Sequence, residues 1–410
     1  MVHRSYQGFS LEIGDPTLVW QGAAGDNKWG HYQFPALHPA ENGAIVAAWG
    51  YHDDSVTRSG YSDAVVTDAA SDDLGRTWRR VTPEDRKASG VPMPNGRLFV
   101  GINGKAGYQA AFLKNHTPVS TNRTGGVFFA EDLPEMGPPE LTGTEYDPKT
   151  GTLHTFPVTV NWRHMPVSTW MQDTVIPVAY YLNIHCHYGV IALDDGLYYC
   201  TYARGFDSDA PTKADAVHKY CAYFQVYVFR STDCGRTWNY LSERLVTDDE
   251  FIPSTVFEGF CEPSMAQMAD GSVVMLMRTG GGWVQDHGSP CYLTRSTDRC
   301  RTWSKPVRFD SVGVLPLIRR LGCGITLATY GRPGLYLRAT ADPSGLTWEE
   351  PVAVPLTDGP EWRSCYYTDL LPLDANSVLM IHTDFHRPLP DGSGEGKSVV
   401  VRKITVKREV

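Results

Sequence analysis

The chain has 410 residues, of which 42% are hydrophobic and 20% are charged, so it can bury a sizeable core. Its 37 basic and 46 acidic residues give a net charge of −9, which disfavours nucleic acid and acidic membrane surfaces as partners and favours a carbohydrate or a small metabolite. The 39 Gly, 28 Pro, 21 Tyr and 11 Trp residues favour turns and strands over helices, so we expect an all-β protein.

The sequence carries no recognisable membrane or export signal. No stretch approaches the roughly 18 to 20 consecutive apolar residues of a membrane span, and the first residues lack the apolar core of a signal peptide. The nine cysteines form an odd set without a Cys-x-x-Cys pair, which fits neither a disulfide framework nor a zinc site. We therefore expect a cytoplasmic protein, with secretion after removal of a leader as the alternative. The oligomeric state is not indicated.

A repeated hairpin organises the chain: a short apolar strand, a turn at Gly or Asn, and a second apolar strand. A strand within residues 1–25 precedes the first repeat, and we expect it to pair with the last one and close a ring. Six modules in a single domain, 1–410, predict a six-bladed β-propeller. Residues 81–184 are long enough for one blade with long loops or for two blades, seven in all. The modules span 28–80, 81–184, 185–240, 258–305, 312–350 and 363–408.

A second motif, Ser/Thr-x-Asp-x-Gly-x-Thr-Trp, closes four of these modules. It occurs at 71–78, 231–238 and 296–303, and in looser form at 340–348. The Asp can accept hydrogen bonds from turn amides, the Gly permits positive φ, and the Trp can pack beneath the next strand. The motif therefore predicts a tight hairpin turn with a structural role. The third copy has Cys300 in place of Gly, so we expect its turn to be strained or differently shaped.

These repeated turns, known as Asp boxes, make the chain resemble the sialidase superfamily of six-bladed propellers from about residue 28 to the end. Three segments carry the functional resemblance: Glu262 with the strand to Arg278, Arg332 before a short strand, and Tyr367 in Tyr-Thr-Asp-Leu. The resemblance implies that Tyr367 is the nucleophile, that Glu262 is its base, and that both arginines bind a substrate carboxylate. It implies exo-acting, retaining hydrolysis of a terminal acidic sugar, sialic acid or a relative, without a metal or organic cofactor.

The hairpin register indicates the same residues independently of the family. Glu262, Tyr367 and His187 each lie nine residues before the turn position of their own hairpin. If the first strand of each blade lines a central channel, these three residues begin their strands at one mouth of it. The second strands return to that mouth, so Arg204 and the two arginines named above are expected beside them.

The sequence departs from the sialidase pattern at the first blade, and it offers two candidates for the general acid. Residues 33–35 read Gln-Phe-Pro where sialidases usually carry Arg-Ile-Pro, and Gln33 cannot form a charged pair with a carboxylate. The carboxylate clamp is thereby reduced to two arginines, with Arg204 as a candidate replacement for the third. The general acid is expected in the loop after the first hairpin, where either Asp53 or Asp54 could protonate the leaving oxygen.

Two further functions fit the same fold, because a fold does not determine an activity. The first is a polysaccharide lyase or a non-sialidase glycosidase that uses His31, His52 or His187 near the same mouth, and it is motivated by Gln33. The second is a non-catalytic propeller that binds carbohydrate.

Overall fold

The computed structural model describes residues 1–51, 65–104, 116–122, 125–134, 141–168, 189–218, 221, 223–245, 259–279, 290–359 and 362–409. Over these residues the chain is all-β, as predicted, with one 3-10 turn (Ala130–Asp132) and one α-helical turn, α1 (Lys213–Ala216). The strands are β1 (Val2–Tyr6), β2 (Phe9–Ile13), β3 (Thr17–Gln21), β4 (His31–Pro39), β5 (Ile45–Tyr51), β6 (Val65–Ser71), β7 (Arg79–Arg80), β8 (Val91–Pro92), β9 (Leu98–Gly104), β10 (Ser120–Asn122), β11 (Gly125–Phe129), β12 (Leu141–Asp147), β13 (Thr152–Asn161), β14 (Pro166–Ser168), β15 (Val190–Leu193), β16 (Gly196–Arg204), β17 (Phe224–Ser231), β18 (Thr237–Arg244), β19 (Phe260–Gln267), β20 (Val273–Thr279), β21 (Cys291–Ser296), β22 (Val307–Asp310), β23 (Val314–Arg320), β24 (Thr326–Gly331), β25 (Leu335–Thr340), β26 (Val352–Ala353), β27 (Asp369–Pro372), β28 (Ser377–Pro388) and β29 (Glu395–Arg408).

Most of the strands form antiparallel units in chain order, which we call sheets I to VI. Sheet I is β4–β7, sheet IV is β19–β22 and sheet V is β23–β26. Sheet II contains β8, β9, β12 and β13, and sheet III contains β15–β18; a parallel pairing of β13 with β18 makes the two continuous. Sheet VI contains β27–β29, and β2 and β3 both pair with β29, so residues near the start of the chain complete the last sheet.

The long segment after sheet I supplies sheet II and, separately, a small sheet of β10, β11 and β14. This small sheet packs on the segment that follows β16, where the rings of Phe129 and Phe206 stack with centroids 4.0 Å apart. In its described part, the segment that the sequence left open between one and two blades thus contributes one four-stranded unit and this satellite.

Apolar clusters fill the spaces between consecutive sheets. Buried side chains join sheets II and III, III and IV, IV and V, and V and VI, and a further cluster joins VI to I. The run Val-Val-Met-Leu-Met in β20 is buried throughout because neighbouring sheets cover both of its faces. The segment between sheets I and II makes polar contacts with sheet I and its first hairpin turn, with Arg86 paired to Glu41 at 2.7 Å and Arg79 paired to Asp85 at 2.6 Å. The apolar cluster between sheets VI and I packs the last sheet against the first.

The repeated Asp motif forms a similar hydrogen-bonded turn in all four copies. In the first copy Asp73 Oδ1 accepts from the amides of Arg76 (3.0 Å) and Thr77 (2.8 Å). The indole nitrogen of Trp78 donates to the carbonyl oxygen of Gly75 at 3.2 Å, which fixes the ring beneath the turn. Equivalent Asp contacts recur in the other three copies.

The Cys300 turn is strained but keeps this hydrogen bonding. Cys300 adopts φ 61°, in the left-handed region that the glycines of the other copies occupy, and its amide donates to Ser296 Oγ at 2.8 Å. For a residue with a Cβ atom, this backbone conformation costs roughly 1–2 kcal/mol of conformational free energy. The one change is at Trp303, whose indole donates to Ser242 Oγ at 3.1 Å rather than to a turn carbonyl. The sequence predicts a turn that is either strained or differently shaped, and the backbone conformation of Cys300 shows the strain.

We predict that Asp298→Asn lowers the free energy of unfolding by about 1 kcal/mol at pH 7. Burial alone would raise the pKa of Asp298, but hydrogen bonds from Thr302, Ser296 and Arg301 outweigh it and hold the pKa below its ordinary value. A group with a lowered folded-state pKa stabilises the protein above about pH 4, and this contribution disappears as the pH falls further.

The measurement is urea unfolding at pH 7, 5 and 3. The loss of stability of Asp298→Asn relative to the native chain should shrink as the pH falls. Asp358→Asn is the control, because the Asp358 side chain is fully exposed. Parallel pH profiles for the native chain and Asp298→Asn would contradict the account.

Candidate active site

The first strands of three sheets carry a residue in the left-handed region at the same register. Phe34, Glu262 and Leu315 have φ values of 55°, 46° and 36°, and each lies nine residues before its turn glycine. The strand pairing shifts register at each of these points, which is the signature of a β-bulge. In sheet VI the positive φ falls one residue earlier, at Tyr366 (66°), so Tyr367 follows the kink. These bulges re-aim the side chains at the start of each strand.

Glu262 is the centre of the site. Its Oε1 accepts hydrogen bonds from Tyr367 Oη at 3.0 Å and from Arg278 Nη1 at 2.8 Å, and its Oε2 accepts from the amide of Leu315 at 2.8 Å. The side chains of Glu262 and Arg278 are only 12% and 11% exposed. Three donors from three different strands or strand ends therefore hold this carboxylate in one position.

Tyr367 is a neutral phenol in the resting site. Burial is the main cause that raises its pKa well above the ordinary value, the charge of Glu262 adds to this, and Arg278 and Arg332 act in the opposite direction. Its hydroxyl donates to Glu262, and its ring meets Phe34 edge-on, with centroids 5.0 Å apart. Transfer of the phenolic proton to Glu262 is thus the shortest route to a phenolate.

Arg278 is committed to Glu262. Burial would lower the pKa of Arg278, but the neighbouring charges, led by Glu262, raise it well above its ordinary value. Its Nε has no hydrogen-bond partner among the described residues. The 2.8 Å contact pairs Arg278 with Glu262, whereas its binding of a substrate carboxylate, which the family resemblance implies, stays a prediction.

Arg332 stands beside Tyr367 without a carboxylate partner in the described part of the chain. Its Nη2 donates to the carbonyl oxygen of Cys365 at 2.9 Å. The guanidinium lies 5.3 Å from the Trp362 ring centroid, 5.6 Å from Trp29 and 5.9 Å from Tyr367. Burial among these rings is the largest effect on the pKa of Arg332 and lowers it. An anion bound here would compensate the cost of burying the guanidinium, because a nearby opposite charge favours the charged form.

Other predicted site residues differ in what the structure shows of them. Gln33 is fully buried, and neither atom of its amide has a partner among the described residues. Arg204 is the last residue of β16, and its side chain lies outside the described part. The candidate acids Asp53 and Asp54 lie outside the described residues altogether, as do two of the candidate histidines, His52 and His187.

The remaining candidate histidine, His31, has two described side-chain partners. Its Nδ1 lies 2.6 Å from Asp26 Oδ1, and its ring stacks on Tyr51 with centroids 3.9 Å apart. These contacts fix the ring at the start of β4, and the candidate role of His31 in a lyase or another glycosidase stays a prediction.

Sequence reasoning missed three aromatic residues of the site. Trp29 and Trp362 flank Arg332 from segments with no repeat pattern, so no periodicity indicates them. Tyr202, on β16, keeps 39% of its surface exposed although the residues before it on the strand are buried. Burial of its hydroxyl and the charge of Glu262 raise the pKa of Tyr202 well above its ordinary value. Its place two residues before Arg204 on a strand ending at the predicted mouth was the one available signal.

Among the described residues, no group of three or more His, Cys, Asp or Glu side chains is arranged to hold a metal ion. Over the same residues, no helix combines the length and the apolar character needed to cross a membrane. The expectation of a cofactor-free reaction stays a prediction.

Comparisons with known proteins give structural neighbours only. No protein-family model matches the chain, and a search of curated proteins finds no match. Solved structures with similar folds include an α-L-arabinanase of Penicillium chrysogenum with arabinobiose (12% identity, 95% of this chain and 98% of that one, TM-score 0.47). Others are the GH93 α-L-arabinofuranosidase of Fusarium graminearum (12%, 97% and 98%, 0.48) and a mutant of NanB sialidase from Streptococcus pneumoniae (14%, 95% and 70%, 0.44). TM-scores below 0.5 are too low to assign an activity to this chain.

We predict that Glu262 and Arg278 are strongly coupled in stability. Glu262→Gln leaves a buried guanidinium unpaired and should cost about 3 kcal/mol of unfolding free energy. The double variant Glu262→Gln, Arg278→Met should cost clearly less than the sum of the two single variants, because no buried charge then remains. Urea unfolding of the four proteins measures this coupling.

The exposed pair Arg299 and Asp194, 2.9 Å apart, provides the control cycle, for which we expect a coupling below about 1 kcal/mol. Additive single-variant effects at the buried pair would contradict the prediction.

Proposed function

We propose that the protein is an exo-acting, retaining glycoside hydrolase of the sialidase type that releases a terminal acidic sugar. The observation that carries this proposal is the 3.0 Å hydrogen bond between Tyr367 and Glu262, with Arg278 on the same carboxylate oxygen and Arg332 beside the phenol. A tyrosine nucleophile needs a base at hydrogen-bond distance, and this contact supplies one.

The fold belongs to the same proposal, as a six-bladed sialidase-like propeller with Asp-box turns. Sheets I to VI follow one another with apolar clusters between five of their six neighbouring pairs, and sheet VI packs against sheet I. The pairing of β2 and β3 with β29 lets the two ends of the chain share one sheet, as closure of a ring requires. The four hydrogen-bonded Asp turns support the same assignment.

The proposed reaction uses Tyr367 Oη and Glu262 Oε1, which lie 3.0 Å apart. Tyr367 Oη bonds to the anomeric carbon while its proton passes to Glu262 Oε1, and the bond from that carbon to the leaving oxygen breaks as a general acid protonates the oxygen. Water then attacks the same carbon, its proton goes to the acid that has just been deprotonated, and the phenolic oxygen leaves and recovers its proton from Glu262. Asp53 and Asp54 remain the proposed candidates for the acid.

The charge of the site supports an anionic sugar. Of the two guanidiniums beside Tyr367, Arg278 is neutralised by Glu262, and Arg332 has no carboxylate partner in the described part of the chain. One positive charge is therefore left next to the nucleophile. A neutral phenol can approach an anomeric centre that bears a carboxylate, whereas a carboxylate nucleophile would be repelled by it.

A second candidate is a glycosidase of the same mechanism that acts on a sugar with less negative charge. The buried, neutral Gln33 favours it, because this position contributes no charge to a carboxylate clamp. A glycan partner and a cytoplasmic location remain part of the proposal. Among the described residues, no two cysteines are joined in a disulfide.

We expect Tyr367→Phe to lower kcat/KM by about 10³-fold or more, because the nucleophilic oxygen is removed. Glu262→Gln should lower it by about 10²- to 10⁴-fold, because the phenol loses its base. The assay measures release of a fluorogenic aglycone from sialosides, glucuronides and arabinofuranosides by the native chain and both variants.

Tyr366→Phe is the matched control, because its phenol is buried beside the site without a contact to Glu262 among the described residues. Its activity should stay within about threefold of native. Full activity in Tyr367→Phe would overturn the mechanism, and turnover of the arabinofuranoside alone would select the second candidate.

A further inference from the structure

Two arginines beside Tyr367 are stabilised in opposite ways. Arg278 has a carboxylate 2.8 Å away, which neutralises it. Arg332 instead lies among the rings of Trp29, Trp362 and Tyr367, with guanidinium-to-centroid distances of 5.3 to 5.9 Å. Aromatic faces attract a cation without cancelling its charge. Since no carboxylate of the described residues pairs with Arg332, its charge stays available to an incoming anion.

The backbone of Arg332 and a hydrogen bond from its guanidinium direct the side chain toward these rings. Arg332 sits between β24 and β25 at φ 67°, and its amide donates to the carbonyl oxygen of Gly334 at 2.9 Å. Its Nη2 donates to the carbonyl oxygen of Cys365, which belongs to the segment before β27. Its Nε has no partner among the described residues. One contact to a carbonyl leaves most of the donors of the guanidinium for a ligand.

The two indoles are themselves held in place. Their ring centroids are 5.5 Å apart, and Trp29 meets Phe385 edge-on at 6.4 Å. Trp362 lies 6.3 Å from the ring of Tyr366, and its carbonyl oxygen lies 3.1 Å from His386 Nε2. Packing against neighbouring residues therefore fixes both indole rings beside Arg332.

We propose that Trp29 and Trp362 are positioning residues. They hold Arg332 as a cation that no carboxylate of the described residues neutralises, and they thereby determine how strongly the site prefers the carboxylate of the sugar over an uncharged analogue. This inference rests on the proposed function for the identity of the ligand. The selectivity for charge then comes from Arg332 and the aromatic cage around it, which we define as the rings of Trp29, Trp362 and Tyr367. It does not come from Arg278, whose charge Glu262 cancels.

The first arm of the test needs no ligand. Crystal structures of the native chain, Trp362→Leu and Trp362→Phe should show the guanidinium displaced or disordered in the leucine variant and in place in the phenylalanine variant, which keeps an aromatic face. Trp29→Leu provides a second, independent removal of one wall if Trp362→Leu does not fold. An unmoved guanidinium in the leucine variant would overturn the cage.

The second arm measures affinity by calorimetry for N-acetylneuraminic acid and glucuronic acid, each beside its methyl ester. The native chain should bind its preferred acid at least tenfold more tightly than the ester. Trp362→Leu should lose about tenfold in affinity for the acid and nothing for the ester, with Trp362→Phe in between. In turnover, KM for the acidic substrate should rise while kcat stays within about threefold.

Trp20→Leu is the control, because Trp20 lies on β3, 38% exposed and outside the site. Equal losses for acid and ester, or equal effects of leucine and phenylalanine at position 362, would overturn the positioning role. A native chain that binds acid and ester equally, with the guanidinium caged as described, would overturn the acidic-sugar proposal and with it the anion-binding role, whereas the cage geometry would stand.

Discussion

The buried carboxylate of Glu262 is the constraint on which the candidate site depends. It accepts one hydrogen bond from Arg278 within sheet IV, one from the amide of Leu315 at the start of sheet V, and one from Tyr367 at the entrance to sheet VI. A buried carboxylate is stable only when such donors surround it. The same contacts that compensate its burial therefore fix three successive sheets relative to one another and bring the phenol to its base.

The two arginines near Tyr367 differ in whether a carboxylate neutralises them. Arg278 pairs with the carboxylate, and its removal would leave Glu262 unpaired in a buried position. Arg332 meets aromatic faces and a carbonyl oxygen, so its charge is not consumed within the described part of the protein. The chain as a whole carries a net charge of −9, yet the described charged side chains beside Tyr367, which are Glu262, Arg278 and Arg332, are positive in sum. An acidic ligand would thus be attracted at the site and repelled by the rest of the surface.

The repeats made much of this arrangement predictable. A hairpin register of nine residues identified Glu262 and Tyr367 as neighbours at one end of their strands, because strands that repeat in sequence repeat in space. The positive φ that realises this register, at Phe34, Glu262 and Leu315, has no sequence signal, since none of these residues is a glycine. Likewise, the Asp turns were readable from turn chemistry, whereas the tolerance of Cys300 for the glycine conformation was not.

Contacts between unrelated segments escaped prediction for a different reason. Trp29 and Trp362 reach the site from positions that no repeat relates, and the parallel pairing of β13 with β18 joins two modules across a boundary. Burial of Gln33 is also a tertiary property, because a strand position facing a neighbouring sheet and one facing a channel have the same sequence period.

Covalent trapping tests the central claim most directly. Incubation with a fluorinated acidic sugar bearing a good leaving group should slow hydrolysis of the glycosyl enzyme enough for peptide mass spectrometry. The account predicts a single sugar adduct on the phenolic oxygen of Tyr367, absent in Tyr367→Phe. An adduct on Glu262 or on another carboxylate, or turnover of the probe with inversion and no adduct, would contradict it.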